Sequence, residues 1–118
     1  MKYQITSGNI DLSPSMEVLT KEKFERIEKR SKNYPEDNNF SRIVLNSAPD
    51  GKFTVRANVK LDNKEYFSDE TEFSLEGALI KTVEELLQMM EKDTIVQRRK
   101  DTKERKELEE YDIIDFTS

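Results

Sequence analysis

The chain of 118 residues carries 20 Lys and Arg against 25 Asp and Glu, which gives a formal net charge of -5. This length allows one compact domain with a buried core and leaves no room for a second. The acidic balance argues against a protein that coats nucleic acid non-specifically, because that function needs clustered Lys and Arg. The absence of Cys and His excludes disulfides, thiolate nucleophiles, imidazole bases and the usual zinc ligands.

Other classes are excluded by what the sequence lacks. No stretch approaches the roughly 20 apolar residues of a membrane span, and residues 1–10 lack the apolar segment of a secretory signal, so we expect a cytoplasmic protein without membrane contact. Carboxylate pairs such as Glu84 and Glu85 lack the spaced, Gly-containing loop of a Mg or Ca site, so no metal or other cofactor is expected. Without a nucleophile and base or a phosphate-binding Gly loop, we predict no enzyme and no small-molecule substrate.

The first elements in the chain are a strand and a long helix. Tyr3 and Ile5 alternate with polar residues over 2–7, which predicts a half-buried strand. Ser13 is a good helix cap and Pro14 is favoured at the first helical position, so a helix is expected from Pro14 to about Ser31. Its buried stripe would consist of Met16, Leu19, Thr20, Phe24 and Ile27.

The middle of the chain predicts three further strands after a polar loop at 32–39. The apolar run at 43–45 indicates a central strand over 40–47, and Pro49–Gly51 supplies a turn. The alternation from Phe53 to Leu61 is the clearest strand pattern, with Phe53, Val55, Ala57, Val59 and Leu61 on one side. A weaker strand follows over 65–72.

The last third contains a second helix and a charged extension. From Ser74 onward, apolar residues recur at steps of three and four, namely Leu75, Ala78, Leu79, Val83, Leu86 and Met90, which predicts an amphipathic helix. Residues 97–106 are mainly basic, and residues 107–118 are acidic with interleaved large apolar side chains. We expect a domain over 1–96 and an extension over 97–118 that is partly disordered.

The order β-α-β-β-β-α predicts an α+β fold. Its sheet would have four strands in a mixed arrangement, with the first two strands parallel and the later hairpins antiparallel. Both helices would pack on one face of the sheet, as in a double-stranded-RNA-binding domain. The opposite face would carry Gln4, Arg42, Arg56 and Lys60.

Several segments of the chain match one known family in the order and near spacing of its elements. The segment ITSGNIDLSP at 5–14 resembles the opening of that family, and KFERIEK at 23–29 resembles its first helix. RIVL at 42–45, followed by Pro49–Gly51, is similar to its second strand and turn. The family is that of the short ribosome hibernation-promoting factors, including the protein Y type, and the resemblance covers residues 1 to about 96.

This resemblance implies a ribosome-binding stress factor. Such a protein enters the decoding region of the small ribosomal subunit, contacts 16S-type rRNA and ribosomal proteins, and inhibits translation by idle ribosomes. It would act as a monomer in the cytoplasm. Contacts with the phosphates of rRNA require Lys and Arg on exposed helix faces. The residues expected to bind RNA are Lys23, Arg26 and Lys29 on the first helix, Lys92 on the second, and Arg98, Arg99 and Lys100 beyond it.

The second helix departs from the family pattern, and this leaves alternatives open. Glu85 and Gln88 stand where the family has basic residues. The first-helix cations also fit a solvated face balanced by Glu22, Glu25 and Glu28, and residues 98–106 also fit a soluble helix end. The alternative function is therefore a protein-interaction or regulatory module of the same fold that has lost rRNA binding.

Overall fold

The computed structural model describes residues 1–35 and 38–94. In chain order its elements are β1 (Lys2–Thr6), α1 (Pro14–Lys23), α2 (Glu25–Ser31), β2 (Phe40–Ala48), β3 (Lys52–Leu61), β4 (Lys64–Glu72) and α3 (residues 75–94). The strands lie side by side in the order β1-β2-β3-β4, with β1 parallel to β2 and both later pairs antiparallel. The predicted α+β fold with a four-stranded mixed sheet is confirmed.

The chain divides into two compact units, Met1–Gln88 and Met89–Ser118. The first contains the sheet, α1, α2 and the beginning of α3. In the second, residues 89–94 are helical, and the Thr94 hydroxyl donates to the Met90 carbonyl at 2.9 Å. The predicted extension over 97–118 lies outside the described residues.

One face of the sheet forms the core. In the register of β2 and β3, Ile43 is paired with Ala57 and Leu45 with Val55, and all four side chains are buried. Because alternate residues of a strand point to opposite faces, the predicted stripe of β3 lies on this covered face. The helices supply the other half of the core, with the buried residues Phe24, Ile27, Ala78, Leu79, Val83 and Leu86.

The start of the first helix is as predicted, but its continuity is not. The Ser13 hydroxyl accepts the Met16 N–H at 3.2 Å, and Pro14 is the first helical residue. A single helix to Ser31 was expected, whereas the structure has two helices that meet at Phe24, where φ is -84° and ψ is 0°. The break leaves Phe24 and Ile27 fully buried. The break is local, since the Phe24 N–H donates to the Thr20 carbonyl and the Glu28 N–H to the Phe24 carbonyl, both at 3.0 Å. No Gly or Pro marks the position.

The loop after β1 is bound to the end of β2. The Gly8 N–H donates to Asn46 Oδ1 at 2.7 Å, and a Cβ added at Gly8 would lie 3.1 Å from the same oxygen. Asn9 Nδ2 donates to the Ser47 carbonyl at 3.0 Å, and the Ser47 N–H donates to Asn9 Oδ1 at 2.8 Å. These contacts give a structural reason for Gly and Asn in the segment at 5–14, since a side chain at position 8 would crowd the Asn46 amide that the Gly8 N–H contacts.

The remaining turns and the last helix agree with the sequence. Asp50 and Gly51 have φ values of 65° and 72°, as expected of a turn that tolerates positive φ. The Ser74 hydroxyl accepts the Gly77 N–H at 3.0 Å and caps α3. Among the described residues, no helix is long and apolar enough to cross a membrane.

Candidate nucleic-acid interface

Two of the predicted RNA-binding residues lie exposed on α2. Arg26 and Lys29 are three residues apart, so they lie on adjacent turns of the same side of the helix. Lys29 Nζ is 3.7 Å from Glu25 Oε1, and their side chains are 70% and 61% exposed, which makes this a weak ion pair. Within the described part of the chain, Arg26 has no ion pair. Both cations are therefore accessible to phosphate groups.

Lys23 is placed differently from these two residues. It is the last residue of α1, before the break at Phe24. Its Nζ lies 3.2 Å from Glu76 Oε1, and its side chain is only 26% exposed. Lys23 therefore joins α1 to the first turn of α3, whereas the charges of Arg26 and Lys29 face solvent.

Glu28 is turned away from the exposed side of α2. The Tyr3 hydroxyl donates to Glu28 Oε2 at 3.3 Å and thereby connects β1 to α2. Burial and the Glu28 carboxylate raise the pKa of Tyr3 well above its ordinary value, so the phenol remains a donor. The Glu28 carboxylate is therefore directed toward β1 and is only partly exposed, unlike Glu25.

The other predicted cations lie in the second unit. Lys92 is exposed on α3. Arg98, Arg99 and Lys100 lie outside the described residues. Their part in RNA binding stays a prediction.

Glu85, which replaces a basic family position, contacts β4. The Ser68 hydroxyl donates to Glu85 Oε2 at 2.7 Å. Glu70 also hydrogen-bonds to Glu85; this bond is the largest cause of the raised pKa of Glu70 and of the lowered pKa of Glu85. Lys81 lies close to the pair, with its Nζ 3.7 Å from Glu70 Oε2. The Glu85 carboxylate therefore holds α3 to β4, while Gln88 is exposed.

The sheet face opposite the core carries the polar residues predicted there. Arg42 Nε donates to Gln4 Oε1 at 3.1 Å, from neighbouring strands. Arg56 Nε lies 3.2 Å from Asp69 Oδ2, with both side chains largely exposed. Lys60 is paired with Phe40 on one side and Glu65 on the other. We call this uncovered surface the outer face; its members are Lys2, Gln4, Thr6, Phe40, Arg42, Val44, Asn46, Lys52, Thr54, Arg56, Asn58, Lys60, Glu65, Phe67, Asp69 and Thr71.

The sequence interpretation missed an exposed aromatic residue on the outer face. Phe67 is 56% exposed, whereas its neighbour Tyr66 is 7% exposed. Alternation alone does not distinguish the two, because both are aromatic and the rest of β4 is polar on both sides. The signal is in the pairing: Val59 lies opposite Tyr66, so Phe67 must face outward. Phe73, 73% exposed just after β4, was also missed, and Lys52 Nζ lies 4.8 Å from its ring centre.

The residues described in 1–35 and 38–94 include no group of three or more carboxylates placed to hold a metal ion. The exposed surfaces described above offer cationic, aromatic and amide groups beside single carboxylates such as Glu25 and Asp69. Cationic, aromatic and amide groups are those with which proteins contact phosphates and bases.

The fold is similar to those of two solved proteins. The match to the N-terminal domain of protein Y from Thermus thermophilus covers 73% of this chain and 91% of that domain, with 18% sequence identity and a TM-score of 0.60. The match to a ribosomal subunit interface protein from Coxiella burnetii covers 84% of this chain and 99% of that protein, with 22% sequence identity and a TM-score of 0.55. No protein-family model and no curated protein matches the sequence. These likenesses show a shared fold, and they support the resemblance drawn from residues 1–96.

Proposed function

We propose that this protein is a short ribosome hibernation-promoting factor that binds the ribosome and inhibits translation. Its binding place would be the decoding region of the small subunit, where it contacts 16S-type rRNA and ribosomal proteins. The proposal is supported by the fold that the chain shares with protein Y and with a protein named for the ribosomal subunit interface. It is also supported by the ordered sequence similarities at 5–14, 23–29 and 42–51.

The observation that carries the proposal is the exposed pair Arg26 and Lys29 on α2. In a chain of net charge -5, accessible cations on one side of a helix are the groups that phosphates attract. Glu28, which lies between them in sequence, accepts a hydrogen bond from Tyr3 and is directed toward β1, away from the two cations. Binding of this kind needs no chemical reaction, and it weakens steeply as salt rises.

Co-sedimentation with purified ribosomal subunits and whole ribosomes tests this function. We expect the double substitution R26E/K29E to weaken binding by about tenfold or more at low salt, because it replaces phosphate attraction with repulsion. Lys21→Glu, an exposed charge reversal on α1, is the matched control and should bind like the unmodified protein. Circular dichroism verifies that each variant is folded. Unchanged sedimentation of R26E/K29E would overturn the assignment of α2.

Lys23 needs a separate design because its ammonium group is bound to Glu76. Lys23→Glu alone sets two carboxylates against each other, so lost binding would have two explanations. The exchange K23E/E76K restores an ion pair of reversed direction and should restore thermal stability. We propose that Lys23 also meets RNA from its own position, so ribosome binding should remain reduced in the exchanged protein. Full recovery of binding would restrict Lys23 to its structural contact.

The alternative is a protein-interaction or regulatory module that has lost rRNA binding. Exposed Gln88 and the acidic sequence at 107–118 favour it. Glu85 gives it less support than the sequence suggested, because its carboxylate is bound to Ser68. Retention of a defined partner from ribosome-free lysate, together with no sedimentation at low salt, would establish this alternative.

A further inference from the structure

The outer face of the sheet has a charge opposite in sign to that of the whole chain. Its cations come from β1, β2 and β3, and its carboxylates come from β4. In the described residues the cations outnumber the carboxylates, although the chain has a net charge of -5. The cations are Lys2, Arg42, Lys52, Arg56 and Lys60, and the carboxylates are Glu65 and Asp69. Such segregation gives the face an attraction for a polyanion.

Phe67 gives this cationic face an aromatic surface. The pairing places Phe67 beside Asn58, Asn58 beside Arg42 and Arg42 beside Gln4, in one row across the sheet. At the usual strand spacing this row is about 14 Å wide. Phe67 is 56% exposed. On β4 it lies between Glu65 and Asp69, and Arg56 and Lys60 lie diagonally across from it on β3. A base can therefore stack on the ring while phosphates reach the cations of β2 and β3.

Arg42 is the cation best placed to contact a ligand on this face. Its Nε donates to the neutral amide of Gln4, and within the described part of the chain it has no ion pair. Arg56, in contrast, lies 3.2 Å from Asp69. The guanidinium of Arg42 therefore keeps its charge and its remaining N–H donors for phosphate.

We propose that the outer face binds single-stranded RNA, with a base stacked on Phe67 and phosphates bound by Arg42 and Lys60. A single strand fits because its bases are open to stacking, whereas a duplex covers the faces of its bases. This inference goes beyond the proposed function. The helices cover the other face of the sheet, so α2 and the outer face form separate surfaces, and binding of a free strand requires no ribosome.

A second copy of the chain fits the outer face less well than RNA does. In a twofold dimer this surface contacts a second copy of itself, so two faces whose described residues each include five cations and two carboxylates would be brought together. Like charges held together across an interface oppose association. The charge of the face thus favours a polyanion, and self-association becomes an outcome that the experiment separates.

The experiment uses the full chain and a short oligouridylate. The sequence contains no Trp, so Phe67→Trp introduces the single indole of the protein at the proposed stacking position. We expect the oligonucleotide to quench its fluorescence saturably. With a labelled oligonucleotide in anisotropy, Phe67→Ala and Arg42→Glu should each weaken binding by about tenfold. The controls are Val18→Ala, which truncates an exposed apolar residue on α1, and Lys21→Glu, which reverses a charge there.

Three results would overturn the inference. The first is an absence of quenching and of binding at low salt. The second is that Phe67→Ala binds the single strand as tightly as the unmodified protein does, or that the unmodified protein binds a duplex of equal length as tightly as the single strand. The third is that the fluorescence of the Phe67→Trp variant is quenched as the protein concentration rises in the absence of RNA and that analytical ultracentrifugation shows dimers. This result would assign the face to a second copy. Ribosome sedimentation of R26E/K29E reports separately on the proposed function, so each can fail without the other.

Discussion

The exposed side of α2 and the outer face of the sheet both present cations, but they are built in different ways. On α2, Arg26 and Lys29 are close in sequence, and Glu25 supplies an opposite charge beside Lys29. On the outer face, Arg42 and Lys60 come from different strands and are brought near each other only by the register. The cations of α2 can therefore be recognised as neighbours from the local sequence, whereas those of the outer face become neighbours only in the folded sheet.

This difference in construction gives the two surfaces different chemistry. The exposed side of α2 offers charge without an exposed aromatic ring, which suits the phosphates of folded rRNA. The outer face adds Phe67 to its cations, which suits unpaired bases as well as phosphates. The two proposed RNA-binding surfaces, on opposite sides of one sheet, would therefore prefer different forms of RNA.

The largest effect is expected in the core on which both surfaces depend. Ile43→Ala removes a fully buried side chain from the covered face and should reduce the free energy of unfolding by about 2–5 kcal/mol. Val44→Ala, the next residue on β2, alters the outer face and should cost less than about 1.5 kcal/mol. Urea denaturation measures both. Equal losses would contradict the separation of a packed face from an open one.

A crossed binding assay would show whether the two surfaces are independent. R26E/K29E should weaken ribosome binding by about tenfold and change oligouridylate binding by less than about twofold. Arg42→Glu should weaken oligouridylate binding by about tenfold, because it reverses the charge on the other side of the sheet. Both are measured at the same salt concentration. If either variant weakened both activities equally, the two surfaces would be one site.

Replacement of Glu70 tests the role of the β4 carboxylates that do not lie on the outer face. The raised pKa of Glu70 contributes stability below the ordinary Glu pKa, and this contribution is lost as pH rises through the raised value. The lowered pKa of Glu85 contributes stability above the ordinary value, and that contribution is lost as pH falls. Glu70→Gln keeps a donor for Glu85 and removes the repulsion, so we expect up to about 1 kcal/mol of added stability at pH 7.

This gain should shrink as the pH approaches 4, which thermal unfolding across a pH series would show. Glu72→Gln is the matched control, because Glu72 accepts a hydrogen bond from Lys81 Nζ at 3.0 Å and its replacement offers no such gain. A less stable Glu70→Gln protein at pH 7 would show that the attraction to Lys81 exceeds the repulsion from Glu85.

The smallest effect on stability is expected at the proposed stacking residue. Phe67→Ala should change the free energy of unfolding by less than about 0.5 kcal/mol, because most of the ring is already in solvent. Tyr66→Ala, at the neighbouring buried position, should destabilise the protein clearly and provides the comparison. A large loss of stability in Phe67→Ala would mean that the ring is needed for folding, and its exposure would no longer suggest a ligand.

Most of the fold was predictable because local patterns and core burial agree. The alternation in β3, the Ser13 cap and the Pro49–Gly51 turn each have a local physical cause, and the structure contains all three. The break at Phe24 was not predictable, since no Gly or Pro marks the position and the hydrophobic spacing continues through it.

The candidate surfaces were predictable only where they follow from spacing within one element. Arg26 and Lys29 were proposed from the family resemblance, and their spacing of three correctly indicated one side of a helix. Arg42 and Lys60 were placed correctly on the open side of the sheet. The engagement of Lys23 with Glu76, and of Glu28 with Tyr3, depends on contacts between distant elements. The exposure of Phe67 depends on its pairing partner, which neighbouring residues do not reveal.

The proposed binding of this protein to the small ribosomal subunit through the cations of α2 can be measured by co-sedimentation with small subunits and whole ribosomes across a salt series. We expect saturable binding that displaces mRNA or initiator tRNA, weakens steeply with salt and is lost in R26E/K29E. No binding of the unmodified protein at low salt, or full binding by the variant, would contradict it.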